Sequence, residues 1–288
     1  MTDSVPKEAT LTSGYKIPTV GLGVYQNTHC AQAVTAALKH GYTHVDSARL
    51  YHNETQVGVG IKASGVDRST LFITSKAGSN DFDDTESAVL DSIQNLKYGL
   101  EGTREPLGSS DYYDLFLLHS PHGGKEKRLK GWRGLLEAKR KGLVRSVGVS
   151  NYGPKHIEEI REAGLELPAV NQVELHPLDQ QKPIVEYCKK HNILVQAYTP
   201  LLRFNFSGDK NGVIQSVADK LQVTAAQVLV RWSLQHDFVP LPKSEHEERI
   251  KVNAQVYGWE IPAEDMARLD ALDKGDEGAV TWNPIHLD

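Results

Sequence analysis

Two cysteines, Cys30 and Cys188, are too few for a disulfide framework. Both lie in helix-like segments, where a buried, reduced thiol is the expected state. No stretch approaches the roughly 20 apolar residues that a membrane-spanning helix needs. The first twenty residues hold no long apolar run, so no secretory leader is expected. A formal charge of -5 leaves no cationic excess to attract nucleic acid or an anionic membrane. No Pro-, Gly- or Ser-rich linker, charge block or low-complexity tract divides the chain. These absences lead to the expectation of one cytoplasmic domain over residues 1–288, with neither nucleic acid nor membrane as partner. The sequon-like triplets at Asn53 and Asn205 then carry little weight.

Several chemical signatures are missing too. GLG at Gly21–Gly23 runs on into VYQ and lacks the third glycine of a dinucleotide fingerprint. No GKS or GKT follows a glycine loop, and there is no GxSxG elbow. Tyr152 and Lys155 are three apart, not the four of a short-chain dehydrogenase pair. His119 and His122 form an isolated pair without nearby cysteine, and Pro121 argues against a helical metal face, so no metal is expected.

What is present is a rhythm. Short apolar runs recur at Val20–Val24, Thr43–Val45, Leu71–Thr74, Leu115–Leu118, Val144–Val149, Val170–Val173, Leu194–Ala197 and Phe238–Leu241. Between most of them lie segments of helical period, including Ala31–Lys39, Glu86–Lys97, Trp132–Lys141 and Ile184–His191. Eight strand-like runs separated by helices suggest a parallel sheet, and eight is the number that closes a (β/α)8 TIM barrel. Ala9–Pro18 reads as an N-terminal β-hairpin turning at Ser13-Gly14, and Pro262 opens an additional C-terminal helix over Ala263–Leu272. Pro121–Lys125 and Arg203–Gly212 are the expected mobile loops.

Seven runs end on a polar or aromatic residue: Asp46, Lys76, His119, Asn151, Gln172, Tyr198 and Lys243. In a parallel barrel these ends share the face on which active sites are built. Tyr51 follows Asp46 by five residues in GYTHVDSARLYHNE. A tyrosine is protonated at neutral pH and can donate a proton. An ammonium from Lys76 would favour the phenolate, Asp46 would hold that ammonium, and His119 would orient a carbonyl oxygen. The group suits protonation of an alkoxide as it forms, with the hydride coming from a nicotinamide. Taken singly, each residue also reads as structure: an ion pair, a core histidine, a rim aromatic.

The chain resembles the aldo-keto reductase family over nearly its whole length. GYTHVDSARLYHNE with FITSK, GLVRSVGVSNYG at Gly142–Gly153 and LPKSEHEERIKVN at Leu241–Asn253 carry the resemblance. It implies a barrel that binds NADP(H) without a Rossmann domain, acts on small-molecule carbonyls and is monomeric. It implies Asp46, Tyr51, Lys76 and His119 as the catalytic tetrad. By the same resemblance Ser150, Asn151 and Gln172 hold the carboxamide of the nicotinamide, and Tyr198 stacks on its ring. Thr199 and Leu201 lie near the pyrophosphate, and Lys243, Ser244, Arg249 and Asn253 form the 2'-phosphate and adenine site. A compact dianion suits a lysine point charge and an arginine fork. Ser244-x-x-Glu247 also reads as a capping box.

Departures from the family pattern lie at Tyr25, His52, Ser120 and Gly78, implying a more open and more polar substrate pocket. Val252 replaces a glutamate, and Glu245 adds a negative charge, expected to be solvated, near the phosphate. NADPH is the expected cofactor, with NADH secondary. The leading function is reduction of an aldehyde or ketone to an alcohol, with Tyr51 as proton donor. The alternatives are an NADPH-binding regulatory module and an isomerase or lyase using Lys76 as a Schiff base.

Overall fold

The computed structural model describes residues 5–288. Strands β1 (Glu8–Thr10) and β2 (Lys16–Pro18) form the antiparallel hairpin, turning through Gly14 at φ +86°. Leu11 and Ile17 bury in one cluster with Phe72 and Val170, each the first residue of a barrel strand, and with Leu115 and Leu117 further along another. The hairpin thus closes the end opposite the chemistry.

The barrel strands are β3 (Leu22–Gly23), β4 (His44–Asp46), β5 (Phe72–Ala77), β6 (Tyr113–Leu118), β7 (Val144–Ser150), β8 (Val170–Glu174), β9 (Leu194–Tyr198) and β10 (Val239–Pro240). Each pairs in parallel with its neighbour in sequence. Closure comes from the Gly21 and Gly23 amides, which donate to the Pro240 and Pro242 carbonyls at 3.1 and 3.0 Å. A Cβ at Gly21 would lie 2.7 Å from both His44 and Leu241, so that seam needs glycine.

Helices shield the sheet. In Thr85–Glu101 the Asp84 side chain accepts from the Ser87 amide, and Ala88, Val89, Ser92, Ile93 and Leu96 form the buried face. This helix meets Glu54–Ser64 backbone to backbone: a Cβ on Gly99 would lie 2.1 Å from the Thr55 carbonyl oxygen. The helix expected from Trp132 begins instead at Lys125. Its first two turns are mostly charged, which hid the apolar period, yet Arg128 is buried, with its guanidinium on Glu159. Two helices, Val213–Leu221 and Ala225–Gln235, precede β10, and Ala263–Asp270 is the additional C-terminal helix. Asp209, in the loop expected to be mobile, accepts from the Val213 and Ile214 amides and anchors the first of these. Among the described residues no helix is long and apolar enough to cross a membrane.

Candidate active site

Asp46 ends β4, Lys76 lies in β5 and His119 follows β6. Lys76 Nζ donates to Asp46 Oδ1 at 2.5 Å and to the Ser47 carbonyl at 2.7 Å, with no exposure of its side chain. The second carboxylate oxygen accepts from Gln172 Nε2 at 2.8 Å, and the same amide donates to Gln196 Oε1 at 3.1 Å. Both charged groups of this buried set are therefore partnered, which is the condition for a buried charge to persist. Burial pulls the Lys76 ammonium below the usual lysine range, and Asp46 opposes that pull. Enclosure also leaves no approach for a Schiff base on Lys76.

Tyr51 closes a short 3-10 turn, Arg49–Tyr51, and its hydroxyl lies 3.4 Å from His119 Nε2. Lys76 Nζ sits 5.2 Å from the centre of the Tyr51 ring. His119 Nδ1 is buried without a partner among the described residues. A bare lone pair there is tolerated better than an orphaned N–H, which assigns the proton to Nε2, facing the site. Burial, with Lys76 adding to it, pushes the His119 imidazole down to about 3, so it is a neutral donor at physiological pH. Burial, then Asp46, holds the Tyr51 phenol well above its ordinary value. The sequence-based expectation of an eased phenol is thus corrected, because burial and the nearby Asp46 carboxylate both disfavour the phenolate.

Ser150 and Asn151 end β7 and its following turn. Ser150 Oγ donates to the Gln172 carbonyl at 2.8 Å, and Asn151 Nδ2 donates to the His119 carbonyl at 3.1 Å. Asn151 sits at φ 63°, a strained conformation that suits a binding position. The Tyr198 hydroxyl lies 2.9 Å from Asn151 Oδ1 and 3.2 Å from the Trp282 carbonyl, two acceptors that share its single proton.

A groove of about 720 Å³ runs from Tyr51 and His119, past this group, to Thr199, Leu201, Lys243, Ser244, Arg249 and Asn253. Thr199, Leu202, Arg203 and Phe204 all have positive φ, a concentration of backbone strain along one wall. Arg203, which sequence reasoning passed over, reaches across to the Tyr25 ring at 6.0 Å. Arg249 makes no ion pair among the described residues, whereas Lys243 meets Glu245 at 3.1 Å. Glu245 is not freely solvated as expected: it also accepts from the Thr28 amide at 3.0 Å and ties two loops together. The capping box is absent as well. The Ser244 hydroxyl accepts from the His246 amide at 3.1 Å, and the helix Glu247–Asn253 starts from an uncapped His246.

Of the pocket residues, Tyr25 packs on Tyr51 with ring centres 4.9 Å apart, and Ser120 lies on the same groove. His52 does not. It ends the 3-10 turn in the left-handed conformation, and it lines a neighbouring groove. Trp282 supplies a further wall, stacked on His122 at 5.1 Å. Its strand of tail is held by Glu174, whose carboxylate accepts from the Val280 amide at 2.6 Å and from the Thr281 hydroxyl. No spacing in the sequence could announce that contact between Glu174 and the tail.

A sequence profile of the Aldo/keto reductase family matches residues 14–274. The chain is 38% identical to the glyoxal reductase of Bacillus subtilis (strain 168), covering 100% of this chain and 99% of that one. It is 33% identical to the methylglyoxal reductase of Escherichia coli (strain K12), over 94% of each. It superposes on the crystal structure of an aldo-keto reductase from a Medee basin deep-sea metagenome library with a TM-score of 0.87. That pair shares 32% identity, over 98% of this chain and 99% of that one.

Proposed function

The chain belongs to the aldo/keto reductase family, and from that premise we propose that it reduces small α-dicarbonyl compounds with NADPH, Tyr51 serving as proton donor. Family membership makes it a carbonyl-reducing oxidoreductase. The dicarbonyl substrate follows the two relatives named for glyoxal and methylglyoxal.

The observation that carries the reading is the enclosed Lys76–Asp46 pair beneath Tyr51 and His119 at one end of the groove. A nicotinamide dinucleotide fits the residues along that groove. Asn151, Ser150 and Gln172 offer amide and hydroxyl groups, the Tyr198 ring offers a stacking face, and Arg249 offers a guanidinium with no carboxylate partner among the described residues. When bound, the nicotinamide supplies the hydride that reduces the carbonyl carbon. Tyr51 gives its proton to the carbonyl oxygen, leaving an alcohol and a phenolate. Because an alkoxide is a far stronger base than a phenolate, the transfer is downhill even from a phenol with a raised pKa. The Lys76 ammonium and the His119 Nε2 proton both favour the phenolate left behind. His119, neutral and aimed into the site, also orients the carbonyl oxygen before transfer.

Lys243 and Arg249 favour NADPH over NADH, since charge-assisted bonds to a 2'-phosphate are the strong ones. The test is turnover of methylglyoxal with NADPH and with NADH, followed by nicotinamide absorbance. Turnover with NADPH well above that with NADH is expected; failure with both cofactors would sink the reading.

A further inference from the structure

Gln196 stands in the middle of β9, in register with Gln172 of β8 on one side and Val239 of β10 on the other. It is fully buried and does not line the catalytic groove. Its Oε1 accepts from Gln172 Nε2 at 3.1 Å, while its own Nε2 is buried without a partner among the described residues. Buried polar atoms are seldom left unpaired without a reason. A leucine or methionine would fill this core position without stranding a donor. Packing therefore gives no reason for glutamine here. What the glutamine provides is the acceptor that it turns toward Gln172.

The orientation of Gln172 follows from its partners. Its Nε2 faces Asp46 Oδ2 at 2.8 Å, because an amide oxygen in that place would meet a carboxylate. That bond uses one N–H and decides which end of the amide points inward. An amide held by one bond can still swing about it. The second N–H, taken by Gln196, fixes the plane. Both donors of Gln172 are then used inside the barrel. Its Oε1 has no partner among the described residues, and Gln172 itself lines the groove. A ligand in the groove thus meets an acceptor at this position, not a donor.

We propose that Gln196 is a positioning residue for the cofactor: without touching the dinucleotide, it locks the plane of the Gln172 amide so that Oε1 accepts from the carboxamide N–H of the nicotinamide. This rests on the cofactor assignment within the reductase reading. The same Gln172 amide also holds Asp46. One chain of contacts, Lys76–Asp46–Gln172, therefore ties the charge beneath the proton donor to the group that seats the nicotinamide, and Gln196 braces its far end.

The test is a binding measurement that needs no turnover. Calorimetric titration gives the Kd of NADP+ and of its 3-acetylpyridine analogue, in which a methyl ketone replaces the carboxamide and leaves no N–H. Wild type, Gln196→Leu and Gln196→Glu are compared. The wild type should favour NADP+ about three- to ten-fold, the range of one neutral hydrogen bond. In Gln196→Leu that preference should shrink to within about two-fold, through weaker NADP+ with the analogue unchanged. Gln196→Glu should keep the preference, because burial holds its carboxyl neutral and the carbonyl oxygen accepts as the amide oxygen does. Gln196→Met, an unbranched chain with only a weak acceptor, keeps the test open if Gln196→Leu does not fold. No preference in the wild type, a preference that survives in the folded apolar variant, equal weakening of both dinucleotides, or the same loss in Gln196→Glu would overturn the proposal. Absence of methylglyoxal turnover beside an intact NADP+ preference would instead remove the reductase reading and leave the role of Gln196 in place.

Discussion

Lys76 and Asp46 meet at 2.5 Å with 0% and 6% of their side chains exposed, while Lys243 and Glu245, at the other end of the same groove, meet at 3.1 Å with 39% and 24% exposed. Both are lysine–carboxylate pairs, yet they do different physical jobs. The inner pair cannot rearrange without stranding a charge in a low-dielectric interior. The outer pair exchanges partners with water at little cost and is screened by salt. Chemistry that must not vary suits the first kind of setting, and adjustable affinity for a charged ligand suits the second.

The comparison is broken most sharply at Tyr51. Tyr51→Phe keeps the ring and removes the acid, and general acid catalysis contributes about 10²- to 10⁴-fold. Steady-state kcat should fall by that much while NADPH affinity, read by fluorescence titration, stays near wild type. Near-normal turnover would show that another group donates the proton.

Next in size is the stability of the inner pair. Lys76→Met leaves Asp46 buried opposite an apolar chain, and truncating one partner of such a pair costs about 3–5 kcal/mol. Chemical denaturation should show that loss, and adding Asp46→Asn should restore part of it. Equal stability of Lys76→Met and wild type would mean that the pair is not desolvated in solution.

The histidines near the inner pair give a pH test. Burial pushes His119 down to about 3 and His44 down to about 4, both below the unfolded value near 6.5. Between those limits the unfolded chain binds protons that the folded chain refuses. Stability is therefore complete above about pH 6.5 and is lost as pH falls toward 3–4, by about 1.4 kcal/mol per pH unit for each histidine. Denaturation midpoints of wild type and His44→Gln from pH 7 to pH 4 should diverge in their slopes, with the variant flatter. Parallel slopes would show that His44 titrates normally.

The smallest effects belong to the outer end. Arg249→Ala should weaken NADPH by about ten-fold or more, as loss of a charge-assisted bond does, and NADH far less. Glu245→Gln frees Lys243 from its carboxylate and should tighten NADPH only a few-fold, less so as salt rises. Equal weakening of both cofactors by Arg249→Ala would mean that the arginine does not read the phosphate.

Legibility in the sequence follows the same division. Strand ends were readable because a period of apolar runs marks where each strand stops: Asp46, Lys76, His119, Asn151 and Tyr198 stand at or next to those stops, whereas Gln172 lies in the middle of Val170–Glu174. The hairpin and the additional C-terminal helix were readable from Gly14 and Pro262, whose conformational limits act locally. His52 was assigned to the wrong groove because its left-handed φ of 53° depends on the turn around it. The Ser244-x-x-Glu247 capping box failed because its spacing is necessary but not sufficient, and the loop geometry sent the Ser244 hydroxyl to His246 instead.

By itself the sequence determined a (β/α)8 barrel, the family, and which residue types stand at the strand ends, since periodicity and local turn chemistry act over a few residues. Tertiary structure alone decided that Gln172 bonds Asp46 from 126 positions away, that Glu174 holds the tail bearing Trp282, and that Glu245 is pinned to Thr28. It also decided the direction of the Tyr51 shift. Burial is a property of everything packed around a group, and no residue's neighbours in sequence reveal how much water its neighbours in space exclude.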